Sequence, residues 1–240
     1  MVGVVLAFDL GTSGPKVVVM DLAGKVVADS VASVPIHFLP GGGAEQDPAD
    51  WWQALILACR NALKKAGQVQ VRAVSVSSQW SGTVAVDRQG NTLGRALIWM
   101  DARGAPLIQK GCGGWPSFEG YGLYRLAYWI YKTGGVPGKS GKDPLAHILY
   151  LKATDPGMFA QAATFFEPKD YLVFRLTGKR LAGYDSIALH WVTDNRNIQK
   201  IDYDRRLLAW TGLPREKLPD LVGATSIAGE LLSECAAELG

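Results

Sequence analysis

Cysteine and histidine are scarce in this chain, with three of each among 240 residues. Cys59, Cys112 and Cys235 are odd in number and far apart, which excludes a disulfide framework and a zinc cluster of paired cysteines. His37, His147 and His190 lack the H-E-x-x-H spacing of a zinc site, so each is expected to be structural or solvated. Long apolar runs are also missing. The longest, residues 2–8 and 17–20, fall far short of the roughly 20 residues that a membrane helix needs, and no membrane partner is expected. Asp9 comes early and no basic segment precedes an apolar one, so the N-terminus does not read as a secretion signal. Charge of one sign does not accumulate: the formal net charge is +3, without a run of five like charges. This removes the electrostatic case for a nucleic-acid partner. No G-x-S-x-G elbow supports hydrolase chemistry, and no internal repeat or low-complexity segment occurs. Together these absences suit a reducing, cytoplasmic setting.

What is present is globular. The chain is 48% hydrophobic and 20% charged, with eight tryptophans, eight tyrosines and seven phenylalanines to bury, which argues against disorder. Its length suits one large single-core domain or two small ones. Residues 2–8, 16–21 and 25–33 read as three strands with very short connections, an antiparallel meander. Asp47 is a good N-cap for a helix, with Pro48 in its first turn; Trp52, Leu55, Ile56, Cys59 and Leu63 follow at helical spacing and Gly67 ends it. Residues 71–77 and 82–86 read as two more strands. The order βββαββ implies a mixed five-stranded sheet flanked by helices. Beyond Trp99, residues 111–122 and 134–141 read as glycine-rich loops, and helices are expected at 123–133, 144–152, 170–176 and 203–210.

The chemistry-bearing segment is Phe8-Asp9-Leu10-Gly11-Thr12-Ser13-Gly14-Pro15-Lys16. It lies between two strands rather than between a strand and a helix, which excludes a dinucleotide fold. A turn of small residues still presents backbone N–H groups and hydroxyls to phosphate oxygens, and a plain hairpin is an equally good reading of it in isolation. Asp9 could hold Mg²⁺ through its waters, and Lys16 adds a cation. Residues 133–140 (TGGVPGKS) nearly spell a Walker A loop, but Thr133 replaces the first glycine, Pro137 removes a donor and a helix precedes it, so a flexible connection is the better reading.

The segment FDLGTSGPKVVVMDLAG resembles the first phosphate loop of the FGGY carbohydrate kinases. Four further segments follow in that family's order: Gln46-Asp47-Pro48 with Trp51-Trp52; Ser77-Ser78-Gln79-Trp80-Ser81-Gly82; Trp99-Met100-Asp101-Ala102-Arg103; and Asp170-Tyr171-Leu172 through Leu176-Thr177-Gly178 to Tyr184-Asp185-Ser186. The resemblance covers residues 4–225. It implies an α/β fold of the ribonuclease-H-like (actin-like ATPase) class and the ATP- and Mg²⁺-dependent phosphorylation of a sugar or polyol. By the same resemblance Asp9, Gly11, Thr12, Ser13 and Lys16 face the nucleotide phosphates, with Asp9 toward the metal. Gln79, Trp80 and Ser81 line the sugar pocket, and Asp101 and Arg103 border it.

The departures are informative. Trp80-Ser81 stands where xylulokinases carry Met-His and glycerol kinases Arg-Glu, so neither substrate is favoured. Trp80 suits stacking on a sugar's apolar face or burial in the core. Family members run to about twice this length, so residues 1–240 are expected to be the N-terminal, substrate-side domain. The catalytic base and the C-terminal nucleotide-binding domain are expected beyond Gly240, and a homodimer is among the expected assemblies. On this reading the chain alone is inactive. Two other readings stay open, a non-catalytic sugar-binding or regulatory module and a nucleotide-gated assembly protein.

Overall fold

The computed structural model describes residues 2–240. Strict alternation builds the first sheet. In β1 (Val2–Gly11), Val4, Leu6, Phe8 and Leu10 are buried, and in β2 (Gly14–Asp21) Val17 and Val19 join them. With β3 (Val26–Val31) these strands form the expected antiparallel meander. Two short strands, β4 (His37–Leu39) and β5 (Gly43–Gln46), lead into α1 (Pro48–Ala66). The Asp47 carboxylate accepts the Ala49 N–H at 2.8 Å and caps α1, and Gly67, at φ 74°, turns the chain beyond it. Trp51, Trp52, Leu55, Ala58, Cys59 and Ala62 are the buried stripe of α1, which lies across β2 and β3. The chain then returns in β6 (Val69–Ser78), parallel to β1, and the sheet order is β3-β2-β1-β6.

The principal sheet therefore has four strands, one fewer than the pattern suggested. The expected fifth shortens to β7 (Val84–Val86) and leaves the sheet. The cause is local: Ser81 takes the left-handed φ of 63°, and Gly82 backs so closely on Pro168 that a Cβ there would lie 2.6 Å from its ring. The turned chain pairs β7 antiparallel with a distant strand, residues 164–166. The outer side of β6 pairs with no described strand.

β8 (Ala96–Leu97) pairs with β5. The chain continues through α2 (Ala105–Cys112), the hairpin β9 (Ser117–Phe118) and β10 (Tyr121–Gly122), α3 (Leu123–Thr133), α4 (Pro144–Thr154), α5 (Pro156–Gln161), β11 (Thr164–Phe166) and α6 (Pro168–Thr177), whose Tyr171, Leu172 and Leu176 pack in the core under the sheet. The remaining elements are β12 (Leu181–Gly183), α7 (Tyr184–Ile187), β13 (Thr193–Asp194), β14 (Asp202–Tyr203), α8 (Arg205–Thr211), β15 (Asp220–Val222) and α9 (Ser233–Leu239). The stretch 111–122, expected as loop, holds the end of α2 and the β9–β10 hairpin. One core lies between the sheet and α1; another gathers Trp129, Leu145, Ile148, Phe165 and Leu207 around α4. All three cysteines are buried, and burial pushes the Cys59 and Cys112 thiols up to about 11, so these are inert packing groups.

Candidate functional site

Because β1 and β6 are parallel neighbours, their carboxyl ends finish side by side, with Asp9 opposite Ser77 and Leu10 opposite Ser78. The Gln79 N–H then donates to the Leu10 carbonyl at 2.6 Å, so the two loops leaving these strands start in contact. Carboxyl ends of parallel strands are where open α/β sheets hold ligands. This topology brings the Gly11–Gly14 turn and the Gln79–Gly82 loop together, although more than sixty residues separate them in sequence.

Asp9 sits between Phe8 and Leu10, which are buried under α1, so the pleat turns its carboxylate to the opposite face, where it is exposed. Lys16, its cross-strand partner on β2, is exposed too. Thr12 and Ser13 are the two residues outside the strand ladder. Gly14 closes the turn at φ 136°, and a Cβ there would lie 2.0 Å from the Ala32 carbonyl oxygen, so only glycine fits.

Gln46, whose sequence context marks only a helix start, joins the site together. It is fully buried. Its Nε2 donates to the Thr12 carbonyl at 2.8 Å, and its Oε1 accepts from Gln79 Nε2 at 2.7 Å and from Trp51 Nε1 at 3.2 Å. One side chain thus spans the turn, the second loop and the start of α1. The signal available in the sequence was a polar residue immediately before a helix cap, next to two tryptophans.

The second loop is held from below. Glu167, buried at the start of α6, accepts the Ser81 N–H at 2.9 Å, while the Ser81 hydroxyl donates to the Lys142 carbonyl at 2.6 Å. Ser81 therefore spends its hydroxyl on the loop's own shape. Trp80, next to it, is 58% exposed and is not core. Gln79 is buried, and its Oε1 has no partner among the described residues. Burial, reinforced by the Asp170 carboxylate, raises the Glu167 carboxyl well above the usual range, so the folded chain favours the proton. A raised folded value gives stability that is complete below the unfolded value and is lost as pH rises through the folded one. Glu167→Gln keeps an acceptor for Ser81 without that loss. It is expected to match the parent's thermal midpoint at pH 5 and to exceed it by about 2–4 °C at pH 8, the size of a 1 kcal/mol effect in a chain this long. Thermal melts at the two pH values check this; an equal difference at both would refute it.

Asp101 and Arg103 do not form an open fork for ligand oxygens. Asp101 is 0% exposed, and its oxygens are taken by Ala44 N at 3.0 Å, Arg103 N at 3.0 Å and the Arg103 guanidinium at 2.6 Å. A buried carboxylate surrounded by its own chain's donors braces a loop, because leaving those donors unpaired would cost more than any gain outside. Arg103 is also held by Glu45 at 2.6 Å and lies over the Tyr150 ring. The residue of that motif that reaches the site is Trp99, 43% exposed, whose Nε1 donates to Thr12 Oγ1 at 3.0 Å. His147 lies behind, fully buried between Thr83 Oγ1 at 3.1 Å and the Asp101 carbonyl at 3.2 Å, and burial lowers its pKa to about 4. His190 is buried in the same region and His37 is part-exposed, which matches the structural reading for the first two. Asp170 and Ser186, the paired ends of the last motif, meet at 2.6 Å in the interior and staple α6 to α7.

Comparison with known proteins agrees with this architecture. The xylulose kinase of Bacillus subtilis is 30% identical over 239 residues, which cover 98% of this chain and 45% of that protein. The glycerol kinase of Thermococcus gammatolerans is 25% identical over 238 residues, covering 94% of this chain and 44% of that protein. The chain thus spans just under half the length of these relatives. Among solved structures, gluconate kinase from Lactobacillus acidophilus superposes with a TM-score of 0.85 at 24% identity, over 100% of this chain and 46% of its own. That likeness is one of fold alone: an α/β domain with a mixed sheet flanked by helices. The profile of the FGGY carbohydrate kinase N-terminal domain matches residues 4–240, and the chain belongs to the FGGY family of carbohydrate kinases.

Proposed function

We propose that this chain is the substrate-side half of a cytoplasmic kinase that transfers the γ-phosphoryl group of ATP to a hydroxyl of a sugar or polyol. One observation carries the reading: an exposed carboxylate and lysine, Asp9 and Lys16, stand beside a small-residue turn that abuts the Gln79–Gly82 loop. The residues fit the implied groups. Asp9 is free of the apolar interior and can hold Mg²⁺ through water. The Thr12-Ser13 turn and Lys16 can hold phosphate oxygens. ATP supplies the phosphoryl group and magnesium offsets its charge. On the other side, the unpartnered Gln79 Oε1 is an acceptor for a substrate hydroxyl, and the exposed Trp80 and Trp99 rings offer apolar faces. Such transfer depends on positioning and charge stabilisation, which the Gln46 network serves by fixing one loop against the other.

The general base and the nucleotide clamp are assigned to the remainder of the protein. Two features support a further domain as partner: the relatives are about twice as long, and the outer edge of β6 pairs with no strand among the described residues. The test compares residues 1–240 with the full-length protein in a coupled ADP-release assay over a panel of sugars and polyols. The full-length protein should turn over one class of acceptor, and residues 1–240 alone none. Full-rate turnover by residues 1–240, or none by the full-length protein on any acceptor, would overturn the proposal.

A further inference from the structure

Away from these loops, Arg88, Arg180 and Arg215 converge on a cavity of about 390 Å³, which Thr164, Glu216 and Asp220 also line. That volume lies within the range of small-molecule sites. Arg180 is part-buried, over the Phe174 ring, and donates to Thr164 Oγ1 at 2.8 Å and to the Asp87 carbonyl at 2.8 Å. Its partners are neutral: among the described residues no carboxylate lies within ion-pair distance of it. Arg215 has one carboxylate, Asp220 at 2.7 Å, which is itself largely exposed. Lys217 is close enough to feel the Arg88 charge and donates to the Ala160 and Ala162 carbonyls. Three arginines therefore face two carboxylates, Glu216 and Asp220, across the cavity, with Lys217 nearby but outside its lining. The Arg180 guanidinium, part-buried without a counter-charge, is costly, and an anion beside it would offset that cost. Guanidinium forks bind phosphate oxygens bidentately, and three of them around one cavity suit an anion with several oxygens.

We propose that this cavity binds a phosphate-class dianion, either free inorganic phosphate or the phosphoryl group of a small phosphorylated metabolite. It is separate from the Gly11–Gly14 turn. It lies where Thr164 pairs with Val86, at one end of the β7–β11 ribbon, whereas the other end, where Phe166 pairs with Val84, leads to Glu167 and the Ser81 loop.

Amide NMR of the labelled chain tests this. Inorganic phosphate and glucose 6-phosphate are titrated separately at fixed ionic strength, with chloride as the control. Saturable shifts are expected at Arg88, Thr164, residues 215–218 and Asp220. The Arg88→Ala/Arg215→Ala double variant should weaken them at least tenfold and leave the responses of Gly11–Lys16 as they were. Arg88→Glu, a change at an exposed position, should do the same if the double variant does not fold. Tighter binding of glucose 6-phosphate supports a metabolite, and equal or tighter binding of phosphate supports the free ion. The proposal fails if chloride gives the same shifts (an adventitious ion only), if shifts are confined to Gly11–Lys16, or if the variants bind as the parent does.

Discussion

Asp9→Asn in the full-length kinase is expected to lower kcat by about 10²–10³-fold, the size of effect seen when one group that stabilises transition-state charge is removed. The thermal midpoint should stay within about 2 °C of the parent, because an exposed strand residue and its cross-strand pair with Lys16 contribute at most about 1 kcal/mol. The substitution keeps the shape of the side chain and removes its charge, so an effect on folding and an effect on phosphoryl transfer separate cleanly. KM for the sugar should change little, since Asp9 stands on the β1 side of the crevice and the Gln79–Gly82 loop on the β6 side. The Mg²⁺ concentration for half-maximal rate should rise. A variant with parental kcat and an unchanged Mg²⁺ requirement would remove Asp9 from the metal's surroundings and, with it, the main support for placing ATP at this turn.

Local pattern and long-range partnership differ in how far a sequence reveals them. The β1–β2 hairpin, the Asp47 cap and helix α3 were legible because alternation, capping and glycine termination act within a few residues. The tally of five strands failed for the same reason. Residues 84–86 do form a strand, but whether it joined the main sheet depended on the left-handed Ser81 and on Pro168, more than eighty residues on. At the site, a residue's type is visible in the sequence while its partners are not. Asp101 is a carboxylate beside an arginine, as expected, yet all its acceptor capacity serves Ala44 and Arg103. Trp80 was open between stacking and core, and exposure decides against core. The linking role of Gln46 is not legible in its motif, because its hydrogen bonds cross separations of 34 residues to Thr12 and 33 to Gln79.

Gln46 also gives the other large effect. Gln46→Leu should cost about 3 kcal/mol and lower the thermal midpoint by about 6–12 °C. The arithmetic is one of orphaned partners. Leucine fills much of the space but leaves Trp51 Nε1, Gln79 Nε2 and the Thr12 carbonyl unpaired at a buried position, at about 1–3 kcal/mol each, partly offset by added apolar contact. Gln46→Glu separates the two halves of the network. It keeps an acceptor for the two N–H groups and loses the donor to Thr12, while placing a carboxyl in a buried site. Its deficit should therefore shrink as pH falls and the carboxyl takes up a proton, which the leucine variant cannot do. In the full-length kinase both variants should raise KM for nucleotide and for sugar together, because Gln46 touches both loops, whereas Asp9→Asn should act on kcat and on metal alone. A Gln46→Leu midpoint within 2 °C of the parent would show that the two loops are aligned by the sheet itself and that the glutamine merely fills space between them.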